Sequence, residues 1–199
     1  ILVDLSGHSE GGKLLTFARN PAPVQVTGWG HCTGTGLSAM DYFFADALIV
    51  PPEDADQLAE EVVGLSCCLG FMPPSEAPII KPAPVLENGF VTFGCFNRVE
   101  KLSSETLKVW SDVLARVDDS RLLLKHTALE ERGVVDNLKC RLTKQGIELS
   151  RVEFMGSTRW FDHLDTFAKV DIALDPFPNN GGVTTLETLW MGVPLITLY

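Results

Sequence analysis

Basic residues are scarce in this chain. Its 199 residues hold 16 Lys and Arg against 26 Asp and Glu, a formal net charge of -10 at pH 7, and no Lys/Arg cluster stands out. Nucleic acids and anionic membrane surfaces are recognised through such clusters. Neither is expected as a partner, and an anionic ligand would have to be held by local groups. Long apolar runs are lacking as well: no stretch reaches the roughly 18 to 20 residues of a membrane span, and no signal-peptide pattern is present. The five cysteines, Cys32, Cys67, Cys68, Cys95 and Cys140, are odd in number, lack CxxC spacing and include a vicinal pair. That usage excludes a disulfide framework or zinc site as the expectation and favours free thiols in a reducing cytoplasm. There is no Walker loop, nucleophile elbow, metal-ligand cluster or pair of carboxylates at catalytic spacing. No resident metal, cofactor or covalent nucleophile is therefore expected.

What is present is an ordinary globular composition, 45% hydrophobic and 21% charged, long enough for one large or two small domains. From Gly89 onward strand and helix patterns alternate: "FVTFGCF", "SRLLLKH", "RVEFMG" and "VDIALD" as strands, with "ETLKVWSDVLARV", "ERGVVDNLKCRLTKQG" and "RWFDHLDTFAKV" as amphipathic helices. Such repetition predicts a parallel sheet covered on both faces, with ligands at the carboxyl ends of the strands. The first 70 or so residues also read as α/β, with strands in "ILVDLSG", "APVQVTGWG" and "MDYFFAD" and an amphipathic stretch around "DQLAEEVVGL". Between them, "PPSEAPIIKPAPVLENG" has five prolines and no period, which predicts an extended linker. The fold class expected is therefore α/β: a first lobe over residues 1 to 72, a linker over 73 to 88 and a second lobe over 89 to 199. The chain starts inside one apparent strand, "ILVDL", and stops inside another, "PLITLY", as a piece truncated at both ends would.

The segment "NNGGVTTLETLWMGVP", residues 179 to 194, follows the strand "VDIALD". A strand, an Asn/Gly loop and a helix start aim unpaired backbone N–H groups at an anion. With the helix beginning near Val183, the spacing predicts Leu186, Leu189, Trp190 and Val193 in the core and Thr184, Glu187 and Thr188 displayed. Lys101 ends "FGCFNRVEK", before a serine able to cap the next helix, and is expected on the same rim, where its cation can neutralise a diphosphate. His163 flanks the apolar face of Trp160, Phe161, Leu164 and Phe167. His8 and His31 lie in glycine-rich turns after strands, as turn residues or as groups facing a ligand.

Together "PAPVQVTGWGHCTGTGLSAMDYFFAD", "FGCFNRVEKLSSETLKVW" and "LDPFPNNGGVTTLETLWMGVPLIT" resemble the catalytic region of the O-linked N-acetylglucosamine transferase family, including its plant SPINDLY and bacterial relatives. The resemblance covers nearly the whole chain. It implies a GT-B architecture of two Rossmann-like lobes, tetratricopeptide repeats in front, and an inverting glycosyltransferase that moves a sugar from a nucleotide donor to Ser or Thr hydroxyls of a protein acceptor. UDP-N-acetylglucosamine is the donor expected, with GDP-fucose transfer or a non-catalytic nucleotide-binding module as alternatives. It implies that Lys101 contacts the diphosphate and is needed for activity, with Asn97 and Arg98 beside it. Gly181, Gly182, Val183, Thr184 and Thr185 would meet the phosphates, Glu187 the ribose and His163 the nucleotide. His8 and the loop of Gly30, His31, Thr33, Gly34 and Thr35 would face the sugar from the first lobe. The chain departs from the pattern at His31-Cys32, where many relatives have Tyr-Pro, at "FARNPAP", and at Gly182, which replaces a histidine of the animal enzymes.

Overall fold

The alternation read between Gly89 and the last residues is realised segment by segment in the computed structural model, which describes residues 1–9, 11–30, 33–68 and 70–198. The chain divides into two compact units, Ile1–Phe71 and Met72–Tyr199.

In the first unit, four strands lie in sequential order and all run parallel: β1 (Leu2–Asp4), β2 (Gln25–Gly28), β3 (Tyr42–Ala45) and β4 (Glu61–Gly64). A short helix, α1 (Leu14–Phe17), connects the first two. The amphipathic stretch around "DQLAEEVVGL" does not stay one element. Pro52–Gln57 forms a 3-10 turn and Glu61–Gly64 becomes β4, with Val62 opposite Phe43. Two adjacent β-branched valines suit a pleated surface better than a helix, and Val62 packs on the buried cluster of Phe43, Ala45 and Val50.

The second unit holds a five-stranded parallel sheet of β5 (Thr92–Cys95), β6 (Arg121–Lys125), β7 (Val152–Met155), β8 (Ile172–Leu174) and β9 (Leu195–Ile196), in the order β7-β6-β5-β8-β9. Leu122 and Leu124 point to one face, where they pack with Leu107, Trp110 and Leu114 of α3 (Ser104–Arg116) and Leu138 and Leu142 of α4 (Arg132–Lys144). Leu123 points to the other, against Leu164 of α5 (Trp160–Thr166), Phe167 and Met191. Both faces are therefore covered, and near-continuous apolar strands are the consequence. The order reverses between β5 and β8: the chain builds outward through β6 and β7, then returns to the far side of β5. In sheets of this kind a crevice opens at that reversal, at the carboxyl ends of the two strands.

The Pro-rich stretch is not extended throughout. Val85–Asn88 close a short helix, α2, after Pro84. The Asp171 carboxylate, just before β8, accepts from Val85 N at 2.8 Å and from Thr92 N at 2.8 Å, tying this turn to the start of β5. Among the described residues no helix is long and apolar enough to cross a membrane.

Candidate functional site at the carboxyl rim of the second sheet

The loop after β8 is built around one carboxylate. Asp175 is buried. Its Oδ1 accepts from Gly181 N at 2.8 Å and from Asn97 Nδ2 at 3.5 Å, and its Oδ2 accepts from Asn180 Nδ2 at 3.1 Å and Thr197 Oγ1 at 3.0 Å. It thus gathers the ends of β5, β8 and β9 around residues 176–182. The start of α3 secures the same loop. Ser103 caps that helix, accepting from Thr106 N at 3.0 Å, and both side chains also donate to Phe177 O, at 3.0 and 2.7 Å. Lys101, in the 3-10 turn Val99–Lys101 just before, extends Nζ to Asn180 O. The expected placement of Lys101 on one rim with the glycine loop is what the structure has, with half-buried Asn97 and exposed Arg98 beside it.

Helix α6 (Val183–Trp190) begins where the spacing predicts, with Gly182 at its N-cap. Its faces, however, are the reverse of the expectation. Glu187 and Thr188 are 5% and 3% exposed, whereas Leu189 and Trp190 are 55% and 42% exposed. The row turned toward the sheet is Thr184, Glu187, Thr188 and Met191. A threonine can occupy it because its hydroxyl bonds back to the helix, Thr188 Oγ1 to Thr184 O at 2.7 Å, so the methyl group is what meets the core. Val193, beyond the helix, is buried as expected.

At the first turn the N–H groups of Val183 and Thr184 have no intrahelical carbonyl to meet. The Thr185 hydroxyl oxygen is buried there without a hydrogen-bond partner. Gly181 explains how it is shielded: a Cβ at that position would lie 2.4 Å from Thr185 Oγ1 and 2.9 Å from Asp175 Oδ1. Any side chain would clash there and force the loop away from the hydroxyl.

His163 stands on the same rim between two charged groups that the sequence pattern did not connect. Its Nε2 lies 3.4 Å from Glu187 Oε2 and its Nδ1 lies 3.2 Å from Lys125 Nζ, which also donates to Thr158 Oγ1 at 2.9 Å. Rings fix the imidazole plane: Trp160 stacks on it at 5.9 Å between centroids and Phe167 meets it edge-on at 5.6 Å. Leu164 and Phe167 are buried, while Trp160 and Phe161 remain about half exposed. Lys125 was missed because a lysine ending "RLLLK" reads as a solvated strand end, yet it is only 3% exposed, and burial pulls its pKa below the ordinary lysine range. The available signal was position: it closes β6 on the rim that Asn97 and Lys101 also occupy.

Covalent chemistry by the nearby thiol is disfavoured. Burial pushes Cys95 up to about 12, partly offset by hydrogen bonding to Asn97, with the Asp175 charge adding to the rise. Cys67 and Cys140 are exposed, whereas Cys68 and Cys95 are buried. In the native protein at pH 8, alkylation followed by peptide mass mapping is expected to label Cys67 and Cys140 well before Cys95, because the thiolate is the reactive form. Prompt labelling of Cys95 would contradict its burial. Among the described residues no group of three or more His, Cys, Asp or Glu could hold a metal ion.

The first unit has its own turn cluster at the carboxyl ends of β1 and β2. His8 Nε2 lies 3.1 Å from Thr35 O, and the buried Glu60 accepts from both Thr35 N, at 2.6 Å, and Thr35 Oγ1. Gly30 passes so near the β1 turn that a Cβ would lie 2.2 Å from the Ser6 carbonyl carbon. Gly34 is buried and Thr33 exposed; His31 and Cys32 lie outside the described residues. Here the Thr35 hydroxyl is engaged in holding the turn.

Comparison with known proteins places these features in one family. A family model described as glycosyl transferase family 41 matches residues 1–72 and 82–199. Over 200 residues the chain is 40% identical to the Arabidopsis thaliana protein named "Probable UDP-N-acetylglucosamine--peptide N-acetylglucosaminyltransferase SPINDLY", covering 100% of this chain and 22% of that one. It is 30% identical over 209 residues to the A. thaliana protein of the same name designated SEC, covering 100% of this chain and 21% of that one. A solved structure of a mutant Thermobaculum terrenum O-GlcNAc transferase matches with a TM-score of 0.87 at 39% identity, over 98% of this chain and 37% of that one. The chain therefore spans about a fifth of the length of these curated relatives. Its α/β units, each with a parallel sheet, have the fold class of a GT-B catalytic region. With a family model matched across both units, the chain belongs to glycosyl transferase family 41.

Proposed function

We propose that this chain is the donor-binding part of an inverting glycosyltransferase that moves a sugar, N-acetylglucosamine carried on UDP, to Ser or Thr hydroxyls of a protein acceptor. The observation that carries the reading is the Thr185 hydroxyl, buried and unpartnered at the start of α6. A buried polar group without a partner is costly, and this one lies beside unpaired helix-start amides at the point where the strand order reverses, the place where such sheets bind ligands. A diphosphate supplies acceptor oxygens to the helix-start amides, and to the Thr185 hydroxyl once the Gly181 backbone that covers it moves aside. Lys101, whose Nζ already reaches the Asn180 carbonyl of the loop, neutralises it from the β5 side. Glu187 and His163 meet the nucleoside end. As the acceptor oxygen attacks the anomeric carbon, the bond to the diphosphate breaks and negative charge gathers on the leaving oxygen. Lys101 and the α6 amides stabilise it without a metal. The names of the relatives, which describe peptide N-acetylglucosaminyltransferases, support the donor and acceptor classes.

Thr185→Val tests the seat through two opposite effects. Without ligand the variant is expected to be as stable as the parent or slightly more so, because an unpartnered hydroxyl is removed. UDP binding by calorimetry is expected to weaken by about 1 to 3 kcal/mol, the range for leaving a charged acceptor without a donor. Unchanged UDP affinity would remove this seat from the proposal. GDP titrated in parallel measures the preference for the base.

A further inference from the structure

We infer that Lys125 is a positioning residue that locks His163 in the Nε2–H tautomer and, through it, orients the Glu187 carboxylate on the rim. The role assigned to Glu187 rests on the donor-site reading above; the tautomer lock follows from geometry alone. An ammonium has three hydrogens and no lone pair. One hydrogen of Lys125 goes to Thr158 Oγ1 at 2.9 Å, and another faces His163 Nδ1 at 3.2 Å. That ring nitrogen must therefore present its lone pair, which puts the ring proton on Nε2, facing Glu187 Oε2 at 3.4 Å. Lys125, His163 and Glu187 form a one-way series of donors that runs from the end of β6 through α5 to α6. Which ring nitrogen carries the proton is set by the partner of the other one. Here that partner is nearly inaccessible to water, and the rings of Phe96, Trp160 and Phe167 around the imidazole leave its two edges to these two polar groups. With the ammonium in place the buried carboxylate keeps a fixed donor and a fixed direction. Without it only the Glu187 carboxylate biases the ring, and any imidazole that carries its proton on Nδ1 turns a lone pair toward Glu187.

The wild-type protein provides the first test. A long-range 15N–1H spectrum of the histidine rings, with His163 assigned by its loss in His163→Gln, is expected to show an unprotonated Nδ1 and a protonated Nε2. A proton on Nδ1 would overturn the inference without any further variant. Lys125→Met, close in volume and without a donor, is expected to raise the Nδ1–H fraction above the parent's and to weaken UDP binding by about tenfold, the scale of one hydrogen bond to a charged group. Lys125→Gln, shorter but still able to donate, serves if the methionine variant does not fold; it is expected to restore part of the bias. A purely structural lysine predicts lower thermal stability with the tautomer unchanged, and that result overturns the inference. Failure of wild-type protein to bind UDP would instead count against the donor-site reading and leave the tautomer to be judged by the spectrum.

Discussion

Lys101→Met in the full-length protein is expected to slow sugar transfer by about 10²-fold or more, while donor affinity falls much less. The loss on the order of 10²-fold is what removing one preorganised charge stabiliser costs. The split between rate and affinity follows from where the charge appears. The bound donor spreads its charge over both phosphates, whereas the departing diphosphate concentrates more of it on the oxygen leaving the sugar, so the cation gains most in the transition state. Its seat supports this: Nζ is directed to Asn180 O, within the loop that leads into α6, rather than into solvent. A solvated surface lysine predicts near-normal turnover and a near-normal donor dissociation constant, and finding both would reject the assigned role.

Asp175→Ala is expected to be the most destabilising single change on this rim. The carboxylate is buried and accepts from Gly181 N, Asn97 Nδ2, Asn180 Nδ2 and Thr197 Oγ1. Its removal takes the acceptor from the Gly181 N–H and the Thr197 hydroxyl and loosens Asn97, while Asn180 Nδ2 keeps Thr197 Oγ1 at 2.8 Å, at roughly 3 kcal/mol in all. For a chain of this size that corresponds to a fall in Tm of roughly 6 to 12 °C. UDP binding should be lost with it, because residues 180–182 set the entry into α6. Asp175→Asn keeps the shape but turns one acceptor into a donor facing donors, so it is expected to fall between the two. A melting curve and a UDP isotherm indistinguishable from the parent's would show that the loop is held by other means.

The order of elements could be read from residues because each obeys one period. "SRLLLKH" and "RVEFMG" are short apolar runs, and "ETLKVWSDVLARV" repeats its buried Leu107, Trp110 and Leu114 at helical spacing. The carboxyl rim was legible for the same reason, since loops that follow strands in a parallel sheet all emerge on one edge. The orientation of α6 was not legible. Hydropathy assigns threonine to water, but Thr188 satisfies its own hydroxyl on Thr184 O and offers the sheet a methyl group. Nor did the sequence disclose Lys125 or Asp175, because their importance lies in partners at a distance along the chain, Thr158 and His163 for one, Thr197 and Asn97 for the other. The β4 strand was read as an amphipathic stretch because its pairing partner, β3, decides its conformation.

The reversal of strand order between β5 and β8 has a consequence for how the rim comes into being. β6 and β7 join β5 from neighbouring stretches of chain, Gly94 beside Leu123 and Leu123 beside Glu153, whereas Ala173 reaches Gly94 only after all of them have been threaded. Closing that last ladder brings together residues far apart in sequence, the slowest kind of contact to form. Asn97 and Lys101 belong to one shore and Asp175, Thr185 and Glu187 to the other, so the diphosphate seat proposed above draws on both halves of the sheet. A nucleotide that binds here recognises the assembled crossing, and it stabilises that long-range step against reopening by mass action.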